Sequence, residues 1–162
     1  MQERVLRRMG WMVRSMSVHD ARQVMGWRYP APYDVYNLAD GDEVVEELTA
    51  GTYRAALDGD LVSGFFCTGR DAQVPGGDYS EAALDIGLGL RPDLTGRGLG
   101  GEFIADVLDW LSPAVPVRLT VAVFNQRAQR CYGALGFDIT ERFRAPHGEF
   151  ILMRRDWAPQ RG

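Results

Sequence analysis

Three stretches of this sequence carry residue types at spacings from which chemistry can be built. The first is a glycine loop, Thr95-Gly96-Arg97-Gly98-Leu99-Gly100-Gly101. Alternating apolar residues (Leu84, Ile86, Leu88, Leu90) precede it as a strand, and Pro92 and Asp93 break that strand. A helical pattern follows through Phe103, Ile104, Val107, Leu108 and Leu111. Strand, glycine loop, helix presents unpaired backbone N–H groups and a positive dipole end to an anion. Glycine suits such a loop because a side chain would block the close approach of a phosphate. The expected role is a pyrophosphate cradle held by backbone donors from about Leu94 to Gly101.

The second stretch runs from Asn125 to Phe137. Asn125 can cap a helix on which Ala128, Tyr132 and Leu135 fall near one face, and Gly136 is placed to end it. The third is Arg28 to Asn37, where Pro30 and Pro32 forbid regular helix. With Trp27 just before it, this segment carries Tyr29, Tyr33 and Tyr36 beside a single acid, Asp34. Aromatic faces with one counter-charge can receive an amine through cation–π contact. The same rings can instead cover the sheet, and the sequence leaves both uses open.

The glycine spacing separates the known cradles. A P-loop requires a lysine directly after its glycines, and the chain contains no lysine at all. The dinucleotide fingerprint G-x-G-x-x-G does not fit Gly96-Arg97-Gly98-Leu99-Gly100 either. The loop resembles the acyl-CoA loop of the GCN5-related N-acetyltransferases (GNAT), R/Q-x-x-G-x-G/A, with Thr95, Gly98 and Gly100 in the specified places. Thr95 departs from the usual Arg or Gln, and Arg97 is a nearby source of the missing charge. Asn125-x-x-Ala128-x-x-x-Tyr132-x-x-x-Gly136-Phe137 resembles the second motif of the same family, in the right order.

The resemblance implies an acetyl-CoA-dependent N-acetyltransferase that acts on a primary amine by direct transfer. It also implies cofactor contacts along Leu88, Gly89, Leu90, Thr95 to Gly101 and Asn125, and places Tyr132 beside the cofactor sulfur as general acid. A phenol of pKa about 10 can protonate a departing thiolate. An alkyl amine, with a pKa near ~10.4, must lose a proton before it attacks. Asp85, which shares a strand face with Gly87 and Gly89, is the candidate base; it can equally be an ordinary edge or surface acid. The acceptor set is Trp27, Tyr29, Tyr33, Asp34 and Tyr36. The competing function is a non-catalytic acyl-CoA-binding or sensing module.

Composition narrows the class. The chain has 162 residues, 46% hydrophobic and 25% charged, which suits one globular domain over 1–162, with 1–9 as a candidate loose tail. A net charge of −4 argues against a nucleic-acid binder. Cys67 and Cys131 make no disulfide framework, and Cys131 reads as packing rather than as a nucleophile. His19 and His147 are isolated, so no metal is expected. No apolar run is long enough to span a membrane, and the expected location is cytoplasmic. The expected partners are acetyl-CoA and an amine, with the chain a monomer or homodimer.

These residues need a scaffold. Trp11–Ser17 reads as a strand and Ser17 or Asp20 as a helix cap; Asp42–Ala50 reads as a second helix. Asp58-Gly59-Asp60 joins two strands as a hairpin, and Val117–Val123 alternates as a strand. A terminal hairpin turns at Ala145–Gly148. The resulting order, β-α-α-β-β-β-α-β-α-β-β, predicts an α/β (α+β) fold of the GNAT type. Its sheet is mixed, mostly antiparallel, with about seven strands and about four helices.

Overall fold

A computed structural model of the chain describes residues 4–156. They form two compact units. One comprises residues up to Cys67 with Leu88–Trp110, the other Thr68–Gly87 with residues from Leu111 onward.

In the first unit β1 (Arg4–Leu6), β2 (Trp11–Ser15), β3 (Arg54–Asp58) and β4 (Leu61–Thr68) form an antiparallel meander. Helix α1 (Val18–Met25) begins in a capping box: Ser17 Oγ accepts from the Asp20 N–H, and the Asp20 carboxylate accepts from the Ser17 N–H. Arg14 grips the same carboxylate at 3.1 and 2.8 Å. Burial pushes the Asp20 carboxyl up, but the hydrogen bonds from Arg14 and Ser17 outweigh it and hold the group below the ordinary range. Helix α2 (Asp42–Ala50) carries Asp42 and Glu43 in its first turn, where the helix dipole favours them. α1 and α2 bury Val24, Met25, Val45 and Leu48 with Ala55, Leu57 and Val62 of β3 and β4. Helix α3 (Leu99–Leu111) buries Phe103, Ile104, Val107 and Leu108; Phe103 meets Trp11 at 5.8 Å and Trp110 meets Phe66 at 5.3 Å.

In the second unit β6 (Val117–Ala122) pairs antiparallel with β8 (Gly148–Arg155), and β8 with β7 (Asp138–Ala145). Helix α4 (Gln126–Ala134) connects β6 to β7. Phe143, Ala145 and Leu152 form a small core under Val74, Tyr79 and Phe150.

Strand β5 (Leu84–Leu90) contributes to both units, and its first residues pair parallel with β6, Asp85 opposite Arg118. The strand order is β1-β2-β3-β4-β5-β6-β8-β7, a mixed sheet with four helices, as expected from sequence. It has eight strands rather than about seven. The additional one is β1, in the segment read as a loose tail. Three residues are too short to show a period. What fixes them is long-range: the buried Asp106 carboxylate accepts from the N–H groups of Arg8 and Met9 and from the Arg8 guanidinium. Residues 1–3 of that tail and the chain after Asp156 lie outside the described residues. Among those described, no helix is long and apolar enough to cross a membrane.

Candidate active site

The exit of β5 is fastened by its own neighbours. The Arg91 N–H donates to the Ser63 carbonyl at 2.9 Å. Its guanidinium donates to the Asp93 carboxylate through two nitrogens, at 2.5 and 3.1 Å, and to Ser63 Oγ at 3.2 Å. Those hydrogen bonds hold the Asp93 carboxyl below its ordinary range. Thr95 Oγ1 donates to the Pro92 carbonyl and so closes the 3-10 turn Pro92–Leu94. Threonine at the motif's first position therefore spends its hydroxyl on the chain.

Beyond Thr95 the backbone changes hand. Gly96 and Gly98 take φ of +74° and +76°, with the exposed Arg97 at negative φ between them. Such alternation turns successive N–H groups toward one concavity. The first N–H groups of α3, from Leu99, Gly100 and Gly101, continue it because a helix start leaves its donors unpaired. A Cβ placed on Gly98 or on Gly101 would meet no atom within 4 Å. Donors, a positive helix end and clearance fit a pyrophosphate.

Gly89 is different. A Cβ there would lie 2.6 Å from the Phe65 ring, so this glycine admits a neighbouring side chain. The Leu90 carbonyl is also taken, because it accepts the Tyr29 hydroxyl at 2.6 Å.

Asp85 is buried, with both side-chain oxygens engaged. Arg118 donates to Oδ1 at 2.6 Å and to Oδ2 at 2.9 Å, and Gln73 donates to Oδ2 at 2.9 Å. The hydrogen bonds it donates to Asp85 push the Arg118 guanidinium above its ordinary value. Arg118 also donates to the Glu81 carbonyl at 3.0 Å and lies over the Tyr79 ring at 5.0 Å. The candidate base thus has its carboxylate closed by a buried ion pair. Arg118, Gln73 and Tyr79 were missed from sequence. An arginine at an apolar strand's alternate position was the available signal, and it names no partner.

Helix α4 starts as expected: Asn125 Oδ1 accepts from the Ala128 N–H at 3.1 Å, and the helix ends at Ala134, capped by Leu135 and followed by Gly136 at φ +93°. Asn125 therefore acts first as a cap. Tyr132 is half-buried on α4, its ring 6.1 Å from that of Phe137.

The aromatic segment divides in two. Trp27 is 8% exposed and packs in the core 5.9 Å from Phe65, and Tyr29 is tied to Leu90; neither is a free acceptor contact. Burial raises the Tyr29 hydroxyl to about 12. Tyr33, Asp34 and Tyr36 form a 3-10 turn nearer the surface, with Asp34 and Tyr36 exposed.

A profile of the acetyltransferase (GNAT) family matches residues 18–137. The chain belongs to that family. Membership makes it an acyl-CoA-dependent N-acetyltransferase. An aminoglycoside N(6')-acetyltransferase type 1 of Salmonella typhimurium is 28% identical over 116 residues, spanning 70% of this chain and 80% of the relative. Among solved structures, the aminoglycoside acetyltransferase AAC(6')-Ib with coenzyme A and kanamycin superposes with a TM-score of 0.70. It is 20% identical over 89% of this chain and 93% of that one. A spermidine N-acetyltransferase chimera from Vibrio cholerae gives 0.69 at 16% identity, over 90% and 95% of the two chains. At those identities the structural likeness carries the fold. Among the described residues, no group of three or more His, Cys, Asp or Glu could hold a metal.

Proposed function

We propose that this enzyme moves an acetyl group from acetyl-CoA directly to a primary amine of a polycationic acceptor of the aminoglycoside kind. The observation that carries the donor half is the loop from Gly96 into α3, whose donors and clearance suit a pyrophosphate. Leu88, Leu90, Arg97 and Asn125 remain secondary candidates there, since the carbonyl of Leu90 and the Oδ1 of Asn125 have partners of their own.

In the step itself, the neutral amine nitrogen attacks the thioester carbonyl, the C–N bond forms and the C–S bond breaks. The departing thiolate takes the Tyr132 phenolic proton, the amine's proton passes to solvent, and solvent returns a proton to the Tyr132 phenolate. Asp85 is not given that proton, because its carboxylate already serves Arg118 and Gln73.

The acceptor half rests on Tyr33, Asp34 and Tyr36 and on the charge beside them. From Asp34 to Glu47 the chain has six acids (Asp34, Asp40, Asp42, Glu43, Glu46, Glu47) and no base, and all six are exposed. The name of the Salmonella relative points to the same acceptor chemistry. We take residues 1–162 as one catalytic domain in the cytoplasm, a reading supported by the family match across both units and by Cys67 and Cys131, which form no disulfide.

The test is release of free thiol from acetyl-CoA with kanamycin, spermidine and a neutral primary amine as acceptors. Turnover should be highest with kanamycin; no turnover with any amine would overturn the reading. Tyr132→Phe, which keeps the ring, should bind CoA as before and lose about 10²–10⁴ in kcat. A loss below about threefold would move the acid role elsewhere.

A further inference from the structure

Tyr29 stands between the segment proposed to meet the acceptor and the strand that leads to the cofactor loop. Its backbone N–H donates to Asn37 Oδ1 at 2.7 Å, which closes the segment 29–37 into a loop. Its ring stands edge-on to Tyr36, at 6.4 Å and 82°. Its hydroxyl donates to the Leu90 carbonyl, 61 positions along the chain, at 2.6 Å. The next residue, Arg91, is held by Ser63 and Asp93, so Leu90 is the last strand residue before the turn that carries Gly96 and Gly98.

A half-buried tyrosine needs only some acceptor for its hydroxyl. This one uses a carbonyl at the end of β5, and its ring is in contact with an exposed residue of the acceptor segment. We propose that Tyr29 is a positioning residue that couples the two substrate segments, so that order imposed on the 33–37 turn is passed to the exit of β5 and back again. This rests on the reading of 94–101 as the CoA loop. Coupling of binding is reciprocal, so a CoA-induced change at 33–37 measures it without any knowledge of the acceptor.

Two amides report on the turn: Tyr33 N–H bonds the Pro30 carbonyl at 2.8 Å, and Asn37 N–H bonds the Asp34 carbonyl at 3.1 Å. In the full-length enzyme, saturating CoA should slow hydrogen exchange at both by about fivefold or more, the low end of ordinary coupling. Tyr29→Phe keeps the ring and removes only the hydroxyl. It should weaken CoA binding about two- to tenfold, the scale of one hydrogen bond, and abolish the exchange response. Asn37→Ala opens the same loop from its other end and should reduce the response while leaving the hydroxyl in place. A merely structural tyrosine would lower thermal stability and leave the CoA response of 33–37 intact. The coupling is overturned if the native enzyme binds CoA with exchange at 33–37 unchanged, or if Tyr29→Phe retains the full response. Failure of the native enzyme to bind CoA at all would instead overturn the CoA-loop reading, and the coupling with it.

Discussion

Gly89 and Gly98 lie nine positions apart in the same unit and are glycine for opposite reasons. At Gly89 a side chain would strike the Phe65 ring at 2.6 Å; at Gly64, on β4, it would strike the Phe103 ring at 2.8 Å. Both positions are already filled by the protein. At Gly98 the backbone is left-handed and the space around a Cβ is open. Charged groups divide the same way. Asp20, Asp85 and Asp106 are buried with their carboxylates bonded within the chain, whereas Arg97 and the acids from Asp34 to Glu47 are exposed. Closed groups build the scaffold. Exposed groups are where a second molecule can contribute.

The sharpest break of that comparison comes at Asp85. If the closed reading is right, Asp85→Asn leaves the Arg118 charge buried without its partner, which should cost roughly 3–5 kcal/mol of stability. Denaturant titration measures it. Full stability together with the loss of one limb of the pH–rate profile would return Asp85 to the role of base.

The two glycines come next. Gly98→Glu sets a carboxylate against the expected pyrophosphate, and like charges brought together cost several kcal/mol. CoA affinity by calorimetry should fall on the order of 100-fold, with the fold retained, and an unchanged affinity would remove the cradle. Gly89→Ala should do the reverse. Forcing a methyl into the Phe65 ring costs about 1–3 kcal/mol of stability. If its loss appeared as weakened CoA binding at native stability, the two positions would not differ in kind.

Local features of this fold were legible in the sequence. Asp42–Ala50 is helix α2 to the residue, Ser17 caps α1, Asp58-Gly59-Asp60 turns a hairpin, and Asn125 and Gly136 bound α4. Each depends on neighbours within a few positions. What was not legible depends on partners far along the chain. Asp85 meets Arg118 across a parallel strand pair 33 positions away, and Arg8 meets Asp106 at 98. The aromatic segment could be recognised as unusual, yet its division into buried Trp27, half-buried Tyr29 and exposed Tyr36 needed the position of β5. Residue type announces a chemistry; the fold decides whether the chain consumes it.

Tyr29 gives the smallest effect and a clean sign. Burial raises its hydroxyl from the ordinary value of 10 to about 12, so the folded state keeps a proton that the unfolded state gives up. Stability linked to that proton is fully present below pH 10 and is lost as pH rises toward about 12. Between those limits the native chain holds about one more proton than the unfolded chain, so stability should fall by about 1.4 kcal/mol per pH unit from this group. Tyrosine and cysteine side chains in general lose protons near this range, so the absolute slope is not diagnostic. The difference from Tyr29→Phe is, because the variant keeps every other group and has no hydroxyl there to ionise. Urea unfolding of both proteins at several points from pH 9.5 to 11.5 should give parallel curves at the start, with the native protein declining more steeply above pH 10. Equal slopes would mean that the hydroxyl ionises in the folded state as readily as in water. Its bond to Leu90 would then be too weak to link the two substrate segments.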